Sequence, residues 1–496
     1  MKKKVIYPSL LGLGLSLLVT ACGGGSSNGG SLPVAVGGTG GGTTTPAPAA
    51  PAPAPRAKNV IFFLGDGMGI TTMTAARIYQ VGEDGELTMD KLPETAFVHT
   101  YSNDGQVTDS APSMAAYMTG VKMNNEVISM SPETRAVDAA GKAYHLNFDS
   151  TCPGTGNGVA VETLLERMGA AGYGTGVVST ARITHATPAT TYSHVCHRDA
   201  ENTIAAALVP GGAGYNARLG QGIDVILGGG SSYFTPKEDG GTRNDKRNLV
   251  KELQAAKYSF ASNKSEFDKL PVDGTRIAGL FTKSHMSYDL DRDPAKEPSL
   301  SEMTGKAIDA LATKKSGFFL MVEGGRIDHA LHATNARRAL QDTVAFDDAI
   351  KAALDKMEAL DPGLANTLIV VTADHDHSLQ MNGYAKRTGK TEPGKPGVLG
   401  LVKSYVNGAS TTDVDGNPYT ILGFGNGPNR LPTRGPIDDA TLESPDYLQE
   451  AVVPLASETH GGGDVFLGAK GVGADAFKGA LTNNDVFGLI KTATGL

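Results

Sequence analysis

Tryptophan is absent from the 496 residues, and aromatic side chains make up only 6% of them. Sugar-binding surfaces usually stack their ligands on aromatic platforms, so that class of function is disfavoured. Positive charge is also short, with 44 Lys and Arg against 52 Asp and Glu and a formal net charge of −8. The balance becomes more negative still if Lys2, Lys3 and Lys4 leave with a leader. Binding nucleic acid by neutralising its phosphates needs the opposite sign, so no nucleic-acid binding is expected. The acidic balance does not exclude a phosphate site, because bound metal ions supply positive charge locally. No repeat at solenoid periods is visible. The N-terminal apolar run, Leu10 to Val19, is too short to span a membrane.

Apolar residues are 40% and charged residues 19% of the chain, near globular composition, and the length is ample for a sizeable core. Residues 1–21 have the layout of an export signal: a basic start at Lys2 to Lys4, an apolar stretch, and small residues at the cut. Val19-Thr20-Ala21-Cys22 resembles a bacterial lipoprotein box, in which Cys22 would carry the lipid anchor. A plain secretory signal is the simpler alternative. Either reading makes the protein exported, and the lipid places it in the periplasm or at the outer membrane. Residues 22–57 are mostly Gly, Ser, Thr, Pro and Ala with almost no large apolar side chain, have a Pro-Ala alternation near the end, and read as a tether. Cys152 and Cys196 then remain as a pair that can form a disulfide in an oxidising compartment, or stay as two buried thiols.

From Lys58 onward strand-like and helical runs alternate. Strands are expected at Val60 to Leu64, Gly176 to Ser179, Val225 to Leu227, Phe318 to Val322 and Thr367 to Thr372. Helices are expected at Thr71 to Tyr79, Val161 to Met168, Leu300 to Ala312 and, as one long element, Ala333 to Leu360. The fold class is therefore α/β, a mostly parallel central sheet flanked by helices. Residues 379–457 break the rhythm and read as a peripheral insertion. Strand and helix resume at Val465 to Leu467 and Val486 to Thr492, so 58–496 is one domain interrupted.

Several segments concentrate ionisable groups where strands end. The first strand runs into Gly65-Asp66-Gly67, and open α/β sheets place ligands at the carboxyl ends of their strands, so Asp66 is a candidate metal ligand. An ordinary glycine turn is the bland reading. Thr108-Asp109-Ser110-Ala111-Pro112 opens a helix with proline in its first turn, which puts Ser110 where backbone N–H groups favour an anion. Asp109 or Ser110 serving only as the cap is the alternative. Glu323 to His332 follows an apolar strand, and Asp328 and His332, four apart on a helix, can share a cation. Thr372-Ala373-Asp374-His375-Asp376-His377 repeats carboxylate plus imidazole at another strand end, a donor set that suits zinc. Glu458-Thr459-His460 adds an imidazole in a glycine-rich loop.

In this order the segments resemble the alkaline phosphatase family, from about Asn59 to the C-terminus. The resemblance implies a zinc held by Asp328, His332 and His460. It implies a second zinc held by Asp66, Asp374 and His375, with Ser110 beside it as nucleophile. A magnesium would take Asp66, Thr187 and Glu323, where Thr187 belongs to His185-Ala186-Thr187-Pro188. Arg198 would clamp phosphate, a task that suits a guanidinium fork. The implied reaction is hydrolysis of phosphate monoesters by two in-line displacements through a phosphoseryl intermediate, and the family suggests a homodimer. Small phosphate monoesters are the expected substrates.

His185 and His329 stand where the enterobacterial enzyme has aspartate and lysine, and in this they resemble the animal enzymes. Both, with Asp109 and His377, are expected to support the ligands rather than hold metal; His194 reads as a core histidine. The rivals are a phosphodiesterase or sulfatase of the same superfamily and a non-catalytic lipid-anchored binding protein. Sulfatases carry Cys or Ser followed at two and four positions by Pro and Arg. Here Ser110 is followed by Pro112 but by Met114, so that signal is missing.

Overall fold

Asn59–Gly65 (β1) is apolar after Asn59, and from Val60 on every residue is buried. Such a run suits a strand covered on both faces. In the computed structural model, which describes residues 56–496, it lies at the middle of a ten-stranded sheet. The other strands are Glu94–His99 (β2), Gly174–Arg182 (β3), Val225–Gly229 (β4), Ser259–Ala261 (β5), Ile277–Leu280 (β6), Phe318–Gly324 (β7), Thr367–Ala373 (β8), Val465–Gly471 (β9) and Gly479–Thr482 (β10). Their order is β10-β2-β9-β8-β1-β7-β3-β4-β6-β5. All neighbours are parallel except the two that involve β9, which runs against β8 and β2. The sheet is thus mostly parallel and flanked by helices, as the sequence indicates.

Register positions the site. Gly65 pairs with Ala373 on one side and with Gly324 on the other. Ser179 of β3 pairs with Glu323. The carboxyl ends of β8, β1 and β7 therefore lie level while β3 runs on to Arg182, and Asp66 after β1 and His185 beyond β3 come beside Glu323.

Helices form where the expected patterns place them: Ile70–Val81, Ser110–Thr119, Leu164–Ala170, Leu300–Leu311 and Asn483–Thr494. Three of them start with capping boxes, Thr163 with Glu166, Ser299 with Glu302 and Thr482 with Asp485, which satisfy N–H groups that a first helical turn leaves free. The helix expected from Ala333 to Leu360 starts at Ala336, and a separate short helix, Arg326–His332, precedes it. Thr334 between them has φ of +56°, and the Asn335 side chain accepts from the Arg338 N–H to cap the second helix. A left-handed residue followed by an N-cap ends one helix and starts another.

Within residues 379–457 the regular ladder is a separate three-stranded sheet, Leu379–Met381, Leu422–Gly427 and Ala451–Pro454. The export signal, Cys22 and all but the last residues of the tether lie outside the described residues. Among the described residues no helix is long and apolar enough to cross a membrane.

Candidate metal centre and nucleophile

Ser110 is the first residue of helix Ser110–Thr119, and Asp109 is its N-cap, accepting from the Ala111 N–H at 2.7 Å. The Ser110 hydroxyl is buried and lies 3.3 Å from His375 Nε2 and 3.4 Å from Asp66 Oδ1. His375 Nε2 is in turn 3.3 Å from Asp66 Oδ1 and 3.4 Å from Asp374 Oδ2. His375 Nδ1 faces the Asp376 carbonyl at 3.2 Å, which leaves the Nε2 lone pair for a cation. A tetrahedral zinc with bonds of ~2.0–2.1 Å separates its ligand atoms by roughly 3.3 Å. The serine, two carboxylates and one imidazole match that spacing.

A second cluster adjoins it. Asp328 Oδ1 is 3.2 Å from His332 Nε2 and 3.5 Å from His460 Nε2. The two imidazole nitrogens are 3.2 Å apart. His332 Nδ1–H donates to the Glu458 carbonyl at 2.6 Å, and His460 Nδ1–H to the Thr108 carbonyl at 2.8 Å. Both rings therefore turn unprotonated Nε2 atoms toward Asp328, the arrangement a metal-binding histidine needs from its other nitrogen. Burial, then the neighbouring His375, pushes His460 down to about 4, so it is neutral near pH 7. The rings of His375 and His460 stack with centroids 3.5 Å apart, which joins the two clusters.

The third group is deeper. Asp66, His185 and Glu323 bring ligand atoms within 4.8 Å of one another. One oxygen each of Asp66, Glu323 and Asp374, and the Thr187 hydroxyl, are buried and find no hydrogen-bond partner among the described residues. Burial and then the charge of Asp328 raise Asp66 to about 7. Burial and then Asp66 raise Asp374 to about 7 as well. Buried carboxylates this close repel one another, and a divalent cation reverses the penalty by pairing with all of them. The oxygen-rich set around Glu323 fits a hard ion such as magnesium, and the two mixed sets fit zinc.

Arg198 sits beside Ser110. Its guanidinium donates to Asp109 Oδ1 at 3.1 Å and lies 3.1 Å from His185 Nε2. His185 and His329 group with His285, whose ring centroid is 3.9 Å from that of His329. Burial holds His185 well below its usual pKa and brings His329 to about 3, so both are neutral.

The segments are thus brought together: Asp66, Ser110, Thr187, Glu323, Asp328, His332, Asp374, His375 and His460 surround one buried centre. His377 lies among them, with Nε2 2.9 Å from Asp328 Oδ1 and Nδ1 2.5 Å from Glu458 Oε2. Burial opposes its charge, but the hydrogen bonds to Asp328 and Glu458 outweigh this and push it up to about 10. Both of its ring nitrogens are taken by hydrogen bonds to carboxylates, an arrangement that fits a support for Asp328. His194 stands apart, bonding the Ser129 carbonyl and Glu166. Cys152 and Cys196 are disulfide-bonded, which ties the 152 loop to the segment carrying Arg198.

Three residues escape the sequence reading. Glu126 accepts the Arg198 N–H on its carbonyl at 2.8 Å, and its own N–H donates to Asp109. Glu458 holds His377, and His285 completes the trio of imidazoles. Their partners lie far off in the chain, and the neighbouring sequence carries no strand-end pattern that marks them.

A sequence model of the alkaline phosphatase family matches residues 57–496. The alkaline phosphatase of Gadus morhua is 38% identical over 460 residues, covering 86% of this chain and 90% of its own. The tissue-nonspecific isozyme of Homo sapiens is 36% identical over 465 residues, covering 87% and 82%. Among solved structures, a variant of the TAB5 alkaline phosphatase with Mg bound in its M3 site is similar at a TM-score of 0.61 and 24% identity, over 89% of this chain and 99% of that one. Fold and site together define a metal-dependent hydrolase. The chain belongs to the alkaline phosphatase family, and its activity is the metal-assisted hydrolysis of phosphate monoesters.

Proposed function

We propose that this chain is an exported, lipid-anchored alkaline phosphatase that works through a phosphoseryl intermediate on Ser110, with two zinc ions and one magnesium per chain. The observation that carries the reading is the position of the Ser110 hydroxyl, 3.3 Å from His375 Nε2 and 3.4 Å from Asp66 Oδ1. Asp328, His332 and His460 would hold one zinc, Asp66, Asp374 and His375 the other, and Asp66, Thr187 and Glu323 the magnesium. When bound, these ions supply the positive charge that favours the serine alkoxide and the leaving oxygen.

The chain's own residues supply the rest. Ser110 attacks phosphorus, the ester oxygen leaves as the alcohol, and water then cleaves the Oγ–phosphorus bond to release phosphate and restore the serine. Ser110 sits at a helix N-terminus, whose positive dipole end favours the charge of the phosphoryl oxygens. Arg198 is aimed by Asp109 and can clamp two of those oxygens at once, a preorganised charge of the kind phosphoryl transfer needs.

Export rests on Lys2 to Lys4, the apolar stretch and the Ala21-Cys22 cut, and the Cys152–Cys196 bond suits an oxidising compartment. The small substrates would meet the enzyme in the periplasm or at the outer membrane. A homodimer is inferred from the family alone, and sedimentation of the purified protein tests it.

The decisive assay is hydrolysis of p-nitrophenyl phosphate against its bis ester. The monoester is preferred, a chelator abolishes turnover, and zinc with magnesium restores it. Preference for the bis ester makes the chain a phosphodiesterase instead, and inactivity of the zinc-loaded protein makes it a binding protein.

A further inference from the structure

Glu458 is 1% exposed and uses nearly every polar atom it has on the metal centre. Its Oε2 accepts from His377 Nδ1–H at 2.5 Å, and His377 Nε2–H reaches Asp328 Oδ1 at 2.9 Å. Its Oε1 accepts from the Ser378 N–H at 2.7 Å and the Ser378 hydroxyl at 2.5 Å, which fixes the carboxylate's orientation. Its main-chain carbonyl takes the His332 Nδ1–H at 2.6 Å, and its main-chain N–H donates to the His332 carbonyl at 2.9 Å. One residue therefore orients Asp328 through an imidazole and His332 directly. It also sits two positions before His460.

We infer that Glu458 is the positioning residue of the Asp328, His332 and His460 cluster, acting through His377 to set its affinity for zinc. The inference rests on the reading of that cluster as a zinc site. The bonds that orient a ligand carboxylate or imidazole decide how ready its lone pairs are, and losing such a partner typically weakens metal binding ~10–100-fold. A structural role alone does not require this arrangement. A buried carboxylate needs hydrogen bonds, and Ser378 already supplies two of them. The bond to His377 adds a path that ends on Asp328.

The test is zinc uptake by the metal-free full-length protein, measured by competition against a colorimetric chelator, with Glu458→Gln as the main variant. Glutamine keeps the volume and an oxygen for Ser378, but it turns an amide N–H toward His377 Nδ1, so the charge-assisted bond to the carboxylate is replaced by a neutral one with its direction reversed. One zinc equivalent binds ~10–100-fold more weakly, while the equivalent assigned to Asp66, Asp374 and His375 keeps its affinity. His377→Ala produces the same loss, and Glu458→Gln adds little in that background, because both remove one path. Unchanged zinc affinity in Glu458→Gln overturns the inference, as do losses that add fully in the double variant. Failure of the parent protein to bind zinc overturns the underlying reading instead. Melting of the metal-free variants, followed by circular dichroism, separates weaker binding from unfolding; equal weakening of both equivalents together with a lowered melting point counts against the proposal.

Discussion

Gly67 lies against His377 so closely that a Cβ at position 67 would stand 2.4 Å from Nε2. The same glycine has φ of +67°, in the left-handed region that L side chains disfavour. It also donates its N–H to Asp374 Oδ1 at 2.9 Å. The turn that delivers Asp66 to the metal centre thus depends on a missing side chain, and the space is filled by the imidazole that steadies Asp328.

Gly67→Ala is therefore expected to destabilise the fold by ~1–3 kcal/mol through backbone strain and overpacking, and to displace His377. Thermal melting and zinc content measure the two effects. A variant with the parent's melting point and full zinc contradicts the crowding described here.

Ser110→Ala removes the nucleophile and leaves the carboxylates and imidazoles in place. Turnover of p-nitrophenyl phosphate falls by at least ~1,000-fold. Elemental analysis then shows metal content close to that of the parent, since Asp66, Asp374 and His375 still supply three ligands. Retained activity places the nucleophile elsewhere.

Arg198→Lys replaces a planar fork with a point charge and breaks the geometry set by Asp109. Inhibition by inorganic phosphate weakens ~10–100-fold, and the Michaelis constant rises with it, while metal content stays the same. Each factor of ten corresponds to ~1.4 kcal/mol of lost binding. An unchanged phosphate inhibition constant removes Arg198 from the clamp.

Glu166, away from the metal centre, predicts a pH effect. It is 1% exposed and accepts hydrogen bonds from His194 at 2.7 Å, Asn216 at 2.6 Å and the Thr163 N–H at 2.9 Å. Burial alone raises a carboxylate, but the bond and charge of His194, with those from Asn216 and Thr163, outweigh it and hold Glu166 below its ordinary 4.5. A depressed folded-state value stabilises the protein fully above the unfolded value near 4.5, and that contribution is lost as pH falls through the lower folded value. Glu166→Gln is expected to cost ~1–3 kcal/mol at pH 7, with the gap to the parent closing as the solution is acidified below the folded value. Urea unfolding at the two pH values checks this, and a gap that stays constant with pH contradicts it.

The central sheet was largely legible because β1, β7 and β8 are buried on both faces and so read as unbroken apolar runs. Edge strands such as Ser259–Ala261 and Gly479–Thr482 were not, being short and only partly buried. The start of the long helix at Ala336 rather than Ala333 was hidden because the positive φ of Thr334 leaves no mark in hydrophobic periodicity. At the site, strand-end acids and imidazoles signalled Asp66, Glu323, Asp328 and Asp374, and family resemblance supplied the grouping. Glu458 could not be assigned, since its value lies in a bond to His377, 81 positions away, that only the fold creates.

The most direct test of the account is to quench the zinc- and magnesium-loaded enzyme with acid during turnover of a radiolabelled phosphate monoester and map the label by peptide mass spectrometry. The account predicts phosphate esterified to Ser110. Label-free peptides at steady state, or label on another residue while turnover proceeds, would contradict it.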